Sequence, residues 1–406
     1  MPFLALPNEL LLEICTSPAL EIPDIASVLR ANHFLRDLLA RPLRSEIFKR
    51  RSDKYARKAL YHAAEHQDES EVKALLDDGI LDIMHDGRTV LNSAVKTLSE
   101  DGMTTLLVCG VDPNTADKRG RTPLICATAG RHLSAIRALL RCDSVDVNRS
   151  WIHGGFAVLH LAVSRRDIDV LRLLLTCPRI AVNQVLTGER EELEREQQLV
   201  PLLREIYDAG RGGWAPLHWA VNGGDPTIIK SLLDDERVDV NLDSGLGDTA
   251  LGFAVRRDKT LAVDMLLAHP KINVQQEDGV SILYQAIFYA GRSTIKLLLE
   301  SSKIDVNSPN IHGGTALHLA VNSGKAHIIP ILLGCKEIEV GALDSEGRSA
   351  RDLALPYYPE IARALSAREI LGYNRLDYLD LAIESGLDYS EWQYRGELLN
   401  DFWWRC

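Results

Sequence analysis

Aromatic side chains are scarce in this chain: 6% of 406 residues, with 7 Phe. Such a balance, against abundant Leu and Ala, suits a helical array with a shallow core better than a β-sandwich. Long apolar runs are missing as well. No stretch approaches the ~18 residues that a membrane-spanning helix requires, so no membrane partner is expected. The start, Met1-Pro2-Phe3-Leu4-Ala5-Leu6-Pro7-Asn8-Glu9, lacks a basic region, and Asn8, Glu9 and Glu13 interrupt any apolar one. It does not read as a signal peptide. Basic residues are outnumbered, 46 against 57, for a net charge of −11. A field of that sign repels phosphate backbones, and no nucleic-acid partner is expected.

The 7 cysteines form no Cys-x-x-Cys pair, which points to a reducing compartment, cytoplasm or nucleus. Cys109, Cys142, Cys177 and Cys335 share one register, two residues after a pair of aliphatics or its equivalent. Packed helices lie about 8–10 Å apart, too far for a disulfide, and such a ladder does not converge on a zinc ion. Enzyme signatures are also lacking: no Gly-x-Ser-x-Gly, no Walker loop, no His-Glu-x-x-His. The expectation is no catalytic residue, no metal and no cofactor.

What is present is self-similarity. Thr122-Pro123-Leu124, Ala157-Val158-Leu159-His160-Leu161-Ala162, Ala215-Pro216-Leu217-His218-Trp219-Ala220 and Thr315-Ala316-Leu317-His318-Leu319-Ala320 align, with Thr249-Ala250-Leu251 and Ser281-Ile282-Leu283. Anchor leucines fall at 91, 124, 159, 217, 251, 283 and 317, with one long interval between 159 and 217. Each unit continues with a paired aliphatic such as Leu139-Leu140, Leu232-Leu233 or Leu332-Leu333. It closes on Val145-Asp146-Val147-Asn148, Val238-Asp239-Val240-Asn241 or Ile304-Asp305-Val306-Asn307. The pattern resembles the ankyrin repeat.

Each position has its own physical reading. The hydroxyls of Thr122, Thr249, Ser281 and Thr315 sit where they would cap a helix. Pro123 and Pro216 fall in the first turn, where a missing N–H costs nothing. The Leu-Leu pairs form the buried stripe of a second, antiparallel helix. One such unit cannot bury its own apolar face, so stacking supplies the core. His160, His218 and His318 share a register and read as structural; the resemblance implies that each holds a neighbouring turn.

About nine units run over 56–366, with an insertion at 187–213 whose first half is charged and whose second half is apolar before Gly210, Gly212 and Gly213. Residues 367–406 read as a C-terminal capping segment. Upstream, Leu6-Pro7-Asn8-Glu9-Leu10-Leu11-Leu12-Glu13-Ile14, followed by Ile25-Ala26-Ser27-Val28-Leu29, resembles the F-box, over residues 1–50. That resemblance implies docking on the Skp-type adaptor of a cullin–RING ubiquitin ligase through Leu6, Pro7, Leu10, Leu11, Ile14, Ile25 and Leu29. The Val-Cys-x-x-Trp pattern that often follows is here Arg30-Ala31-Asn32-His33-Phe34, without the tryptophan. The fold class is therefore all-α with short β-hairpin fingers, a repeat solenoid behind a small helical domain.

The resemblance also places the ends of the first helices along a groove. Arg165, Arg256 and Arg257 stand there with Phe288 and Tyr289, types that recur at binding hot spots. The fingers add Trp151 and Trp214, read as exposed aromatics beside units whose capping hydroxyl is replaced by Ala157 and Ala215. Together these seven residues are expected to form one strip for an unidentified target protein, preferably an acidic segment with apolar anchors. Reversing Arg256 and Arg257 is expected to weaken binding while barely changing stability. Three functions fit: a ligase substrate receptor, a plain scaffold or inhibitor whose N-terminus is only a cap, and, more remotely, an enzyme using the groove.

Overall fold

The computed structural model describes residues 48, 51, 53–84, 89–150, 156–185, 213–244, 248–275 and 281–371. The expected adaptor-docking residues, Trp151, the bulk of the insertion and almost all of the C-terminal segment lie outside them. The helices follow one another in antiparallel pairs. These are α1 (Asp53–Glu65) and α2 (Glu69–Asp77), with the single turn α3 (Ile80–Ile83); α4 (Val90–Ala94) and α5 (Glu100–Val108); and α6 (Pro123–Gly130) and α7 (Leu133–Arg141). Then come α8 (Val158–Ser164) and α9 (Ile168–Leu175), α10 (Pro216–Gly223) and α11 (Pro226–Leu233), and α12 (Ala250–Arg256) and α13 (Thr260–Ala268). The last are α14 (Ile282–Tyr289) and α15 (Arg292–Glu300), α16 (Ala316–Asn322) and α17 (Ile329–Leu333), and α18 (Ala350–Ala354) and α19 (Pro359–Leu371).

The described residues fall into two compact units. Those within Met1–Ile152, Phe156–Ala162 and Arg172–Ile180 form the first, and those within His153–Gly155, Val163–Leu171 and Ala181–Cys406 the second. In the first, α5 packs on both α1 and α7, and α4 on α6. In the second, first helices stack in the row α10, α12, α14, α16, α18, and second helices in the row α11, α13, α15, α17. All seven anchor leucines are buried, as is the first residue of each Leu-Leu pair. The second residue of the pair is half-buried at 140, 175, 233 and 299, as the edge of a helical stripe should be.

Caps start the helices where hydroxyls stand. Thr249 Oγ1 accepts from Gly252 N–H at 3.2 Å, Thr122 Oγ1 from Ile125 N–H at 3.4 Å, and Ser349 and Asp352 cap each other reciprocally. Basic side chains finish them. The Arg179 guanidinium donates to the carbonyls of Leu140, Cys142, Asp143 and Val145 at 2.8–3.0 Å, and Lys303 Nζ donates to those of Leu267 and His269, each at 2.7 Å. A cation is favoured there because the helix C-terminus exposes unpaired carbonyls and the negative end of its dipole.

The Asn that closes these repeat-end segments, Asp-Val-Asn or its equivalent, is what locks one repeat to the next. Asn241 Nδ2 donates to Lys271 O at 2.8 Å while its Oδ1 accepts from Asn273 N–H at 2.7 Å. Asn114 makes the same pair with Ser144 and Asp146, and Asn307 with Glu337 and Glu339. The partners lie 30 and 32 residues on. For Asn183 they are Arg237 and Asp239, 54 and 56 residues on. The excess of 24 residues is the insertion, and the ladder closes across it.

The fingers carry isolated antiparallel bridges, Asp243–Thr249, Gln275–Ser281 and Leu343–Ser349, in place of hairpin strands. Side chains take the donors that a ladder would use. Asp117 accepts from the N–H groups of Arg119 and Arg121, and Asp344 from those of Glu346 and Arg348. Against the upward pull of burial, the Arg121 guanidinium and then these backbone donors hold the Asp117 carboxyl below the usual carboxylate range, while for Asp344 the backbone donor of Arg348 leads and its guanidinium assists.

Candidate protein-interaction surface

The periodic histidines resolve first, and they are structural. His318 Nδ1 accepts from Thr315 N–H at 3.1 Å and lies 2.9 Å from its hydroxyl, so Nε2 carries the proton and donates to Arg348 O at 3.1 Å, in the next repeat. His218 Nε2 donates in the same way to Asp248 O at 3.1 Å. Its cap position is Ala215, however, with no hydroxyl to offer, and Nδ1 of this buried ring lacks a hydrogen-bond partner among the described residues. Burial pushes the His218 pKa down to about 4, against a smaller upward pull from Asp243.

That shift has a sign. The unfolded chain, with a histidine near 6.5, binds the proton before the folded one does. His218 therefore contributes its full stability above pH 6.5 and loses it as pH falls from 6.5 to about 4, some ~3 kcal/mol at about 1.4 kcal/mol per pH unit. Urea midpoints at pH 7 and pH 4.5 should differ more for the wild type than for His218→Gln, which keeps an N–H donor and does not titrate. Equal pH sensitivity would refute the assignment.

Trp214 is not an exposed finger residue. It is 2% exposed, with its ring edge-on to Trp219 at 6.1 Å and to Phe253 of the next repeat at 4.7 Å. Phe156, in the same register, is fully buried and lies 5.7 Å from the ring of His160. The two alanines at cap positions thus accompany a large buried ring one residue earlier. Packing replaces capping in these repeats, and the broken capping rule there is a core feature.

Arg256 also belongs elsewhere. Its guanidinium pairs with Asp248, whose side chain is only 6% exposed. A buried carboxylate needs that cation, so reversing Arg256 cannot leave stability unchanged. Of the six described residues expected to share one strip, Trp214 lies in the core and Arg256 is committed to Asp248, while Arg165 and Arg257 are exposed. Arg257 lies over the Phe253 ring at 5.7 Å from its centroid. Phe288 and Tyr289 are 43% and 58% exposed, their rings 6.2 Å apart at the end of α14. Large apolar side chains held in water on a rigid helix mark contact surface when they adjoin charged neighbours.

The exposed residues sit at the turns between the two helices of each repeat, and these turns are linked in the second unit. Arg166 Nη2 donates to Gly223 O at 2.9 Å, from the fourth repeat to the fifth. Asp258 Oδ1 accepts from Gly291 N–H at 2.9 Å and the Thr294 hydroxyl at 2.7 Å, from the sixth to the seventh. Arg166 and Asp258 both adopt positive φ, 54° and 50°, a conformation that closes a helix and one that side chains disfavour. Arg166 and Asp258 stand in the expected groove stretches but, like Lys259, were not among the expected partner-binding residues. Their position just after a helix end was visible, but the backbone turn that aims them at the next repeat was not.

Stacked helix pairs with a hydroxyl or aromatic start, a Leu-Leu stripe and an asparagine ladder define a repeat protein. The chain belongs to the ankyrin-repeat family: the family model described as "Ankyrin repeats (3 copies)" matches residues 99–185, 195–278, 217–310 and 283–372. It is a protein-interaction module. Among curated relatives, it is 32% identical over 130 residues to the B-cell lymphoma 3 protein homolog of Mus musculus, covering 30% of this chain and 29% of that one. It is 25% identical over 318 residues to alpha-latrotoxin-Lh1a of Latrodectus hasselti, covering 67% of this chain and 22% of the toxin. The chain thus spans about a fifth of the toxin it matches. The crystal structure of the ankyrin repeat domain of Bcl-3 aligns with a TM-score of 0.48 at 22% identity, covering 61% of this chain and all of that one. Among the described residues, no helix is long and apolar enough to cross a membrane.

Proposed function

We propose that the chain is the substrate-recognition subunit of a cullin–RING ubiquitin ligase, acting in cytoplasm or nucleus. Residues 1–50 dock the Skp-type adaptor through Leu6, Pro7, Leu10, Leu11, Ile14, Ile25 and Leu29, and the repeats hold a target protein. The support for the first half is the Leu6-Pro7 segment followed by its apolar helix spacing. The support for the second is the exposed set of Arg165, Arg257, Phe288 and Tyr289 on rigid, stacked turns. No residue of this chain performs bond chemistry in this reading. The mechanism is proximity: tethering raises the effective concentration of target lysines near the conjugating enzyme.

Co-expression with the adaptor tests it. The wild type should co-purify with the adaptor, and Leu10→Asp with Ile14→Asp should abolish that while leaving target binding intact. Failure of the wild type to bind the adaptor would sink the ligase reading and leave a plain ankyrin scaffold or inhibitor. Arg165→Glu with Arg257→Glu should do the converse, weakening target binding with the adaptor still held. Both arginines are exposed, so their reversal should change the unfolding free energy by no more than about 0.5 kcal/mol.

A further inference from the structure

The turns of repeats four to seven contain a gap where a side chain would be expected. Repeat five closes its first helix on Gly223-Gly224, and two cations from the flanking repeats lean over that bare backbone. A β-carbon placed on Gly223 would lie 3.9 Å from Arg166 Nε, and one on Gly224 4.0 Å from Lys259 Nζ. Gly224 has φ +70°, which suits glycine; Gly223 carries no such constraint. Arg165 and Arg257 stand at the corresponding turns on either side. None of Arg165, Arg257 and Lys259 enters an ion pair among the described residues.

The acidic groups of the same turns are held by local hydrogen bonds, and Asp225 also feels the charge of Arg166. Asp225 accepts from Thr227 and Ile228 N–H, Asp258 from Gly291 N–H and Thr294, and Asp167 from Val170 N–H. A chain of net charge −11 therefore presents here four cations, Arg165, Arg166, Arg257 and Lys259, against the three carboxylates of Asp167, Asp225 and Asp258, around a recess left where Gly223 and Gly224 carry no side chain. This run of side chains ends at the exposed rings of Phe288 and Tyr289.

We propose that this recess seats a carboxylate side chain from an acidic linear segment of the partner protein, whose next large apolar residue rests on Phe288 and Tyr289. The inference rests on the partner-binding reading of these turns and specifies its chemistry. Arg166 is already oriented by its bond to Gly223 O, so it is held in place for a second acceptor, and guanidinium groups take carboxylates in forked, charge-assisted pairs. The absence of a side chain at Gly223 and Gly224 lets a partner's carboxylate approach the cations where a β-carbon would otherwise stand.

Gly223→Glu supplies a carboxylate from within. Nothing lies within 3.4 Å of its β-carbon, and glycine is a poor residue in a helix, so the variant should fold. Random peptides displayed on phage and selected against the full chain provide the probe. Selected sequences should share an Asp/Glu run followed by a bulky apolar residue. Their binding should weaken about tenfold on Gly223→Glu, a change of about 1.4 kcal/mol, and fall steeply with added salt. Lys259→Glu should act in the same direction if Gly223→Glu fails to fold. Selected peptides without acidic enrichment, or acidic ones indifferent to both variants, would overturn the proposal. Non-acidic peptides that lose binding on Phe288→Ala with Tyr289→Ala would overturn it while leaving the partner-binding reading intact. Peptides indifferent to every one of these changes would remove both.

Discussion

Arg256→Glu should unfold the sixth repeat locally, at a cost of about 3–5 kcal/mol, whereas Arg257→Glu one residue on should cost almost nothing. The guanidinium of Arg256 neutralises Asp248, whose carboxylate lies almost wholly out of water. Removing one partner of a buried pair leaves an uncompensated charge, and the substitution adds a second carboxylate against it. Asp248 also accepts through its carbonyl the proton of His218 Nε2, so the disturbance should spread into repeat five. Hydrogen exchange over α10 and α12 would report it. Arg257 is exposed, its guanidinium 5.7 Å from the centroid of the Phe253 ring, so its reversal should fall among surface changes of ±0.5 kcal/mol. Equal unfolding midpoints for the two variants would show that the Asp248 pair is not structural.

Trp214→Ala should be as damaging, again at about 3–5 kcal/mol, the usual range for deleting a fully buried aromatic. The ring fills space between Trp219 of its own repeat and Phe253 of the next. In a linear array the loss is felt first at the nearest interface. Protection should therefore fall in α10 and α12 well before α16 and α18 respond, measured residue by residue because such arrays need not unfold in one step. Trp214→Phe should recover most of the loss. Wild-type protection in α12 of the alanine variant would contradict the packing described.

The repeat itself was legible because it is written in periodic residues. Thr249, Leu251 and the pair Leu266-Leu267 each state a cap, an anchor and a stripe, and each is found in that role. The histidine register was legible for the same reason. The surface was harder. Trp214 and Arg256 look like binding residues by type, and only burial shows that one fills a core and the other serves Asp248. Burial at a given point of an array depends on what the next repeat presents, Phe253 in one case and a carboxylate in the other, and no local window contains both. Asn241 shows the opposite error. It reads as a turn residue, yet its amide bridges Lys271 and Asn273 of the following repeat, a contact made across 30 residues that spacing alone does not declare.

The asparagine ladder has a consequence for how this chain can be altered. Asn183 finds its partners at Arg237 and Asp239 with 24 more residues in between than the Asn241 rung spans. Chain leaves the ladder between these rungs and comes back to the same register. Lengthening a closed excursion costs little, about 0.6 kcal/mol for each doubling, so the ladder is indifferent to what is threaded there. The junction is thus a natural splice point. A foreign domain could be grafted between residues 185 and 213, or new chain termini opened there, without moving a single rung.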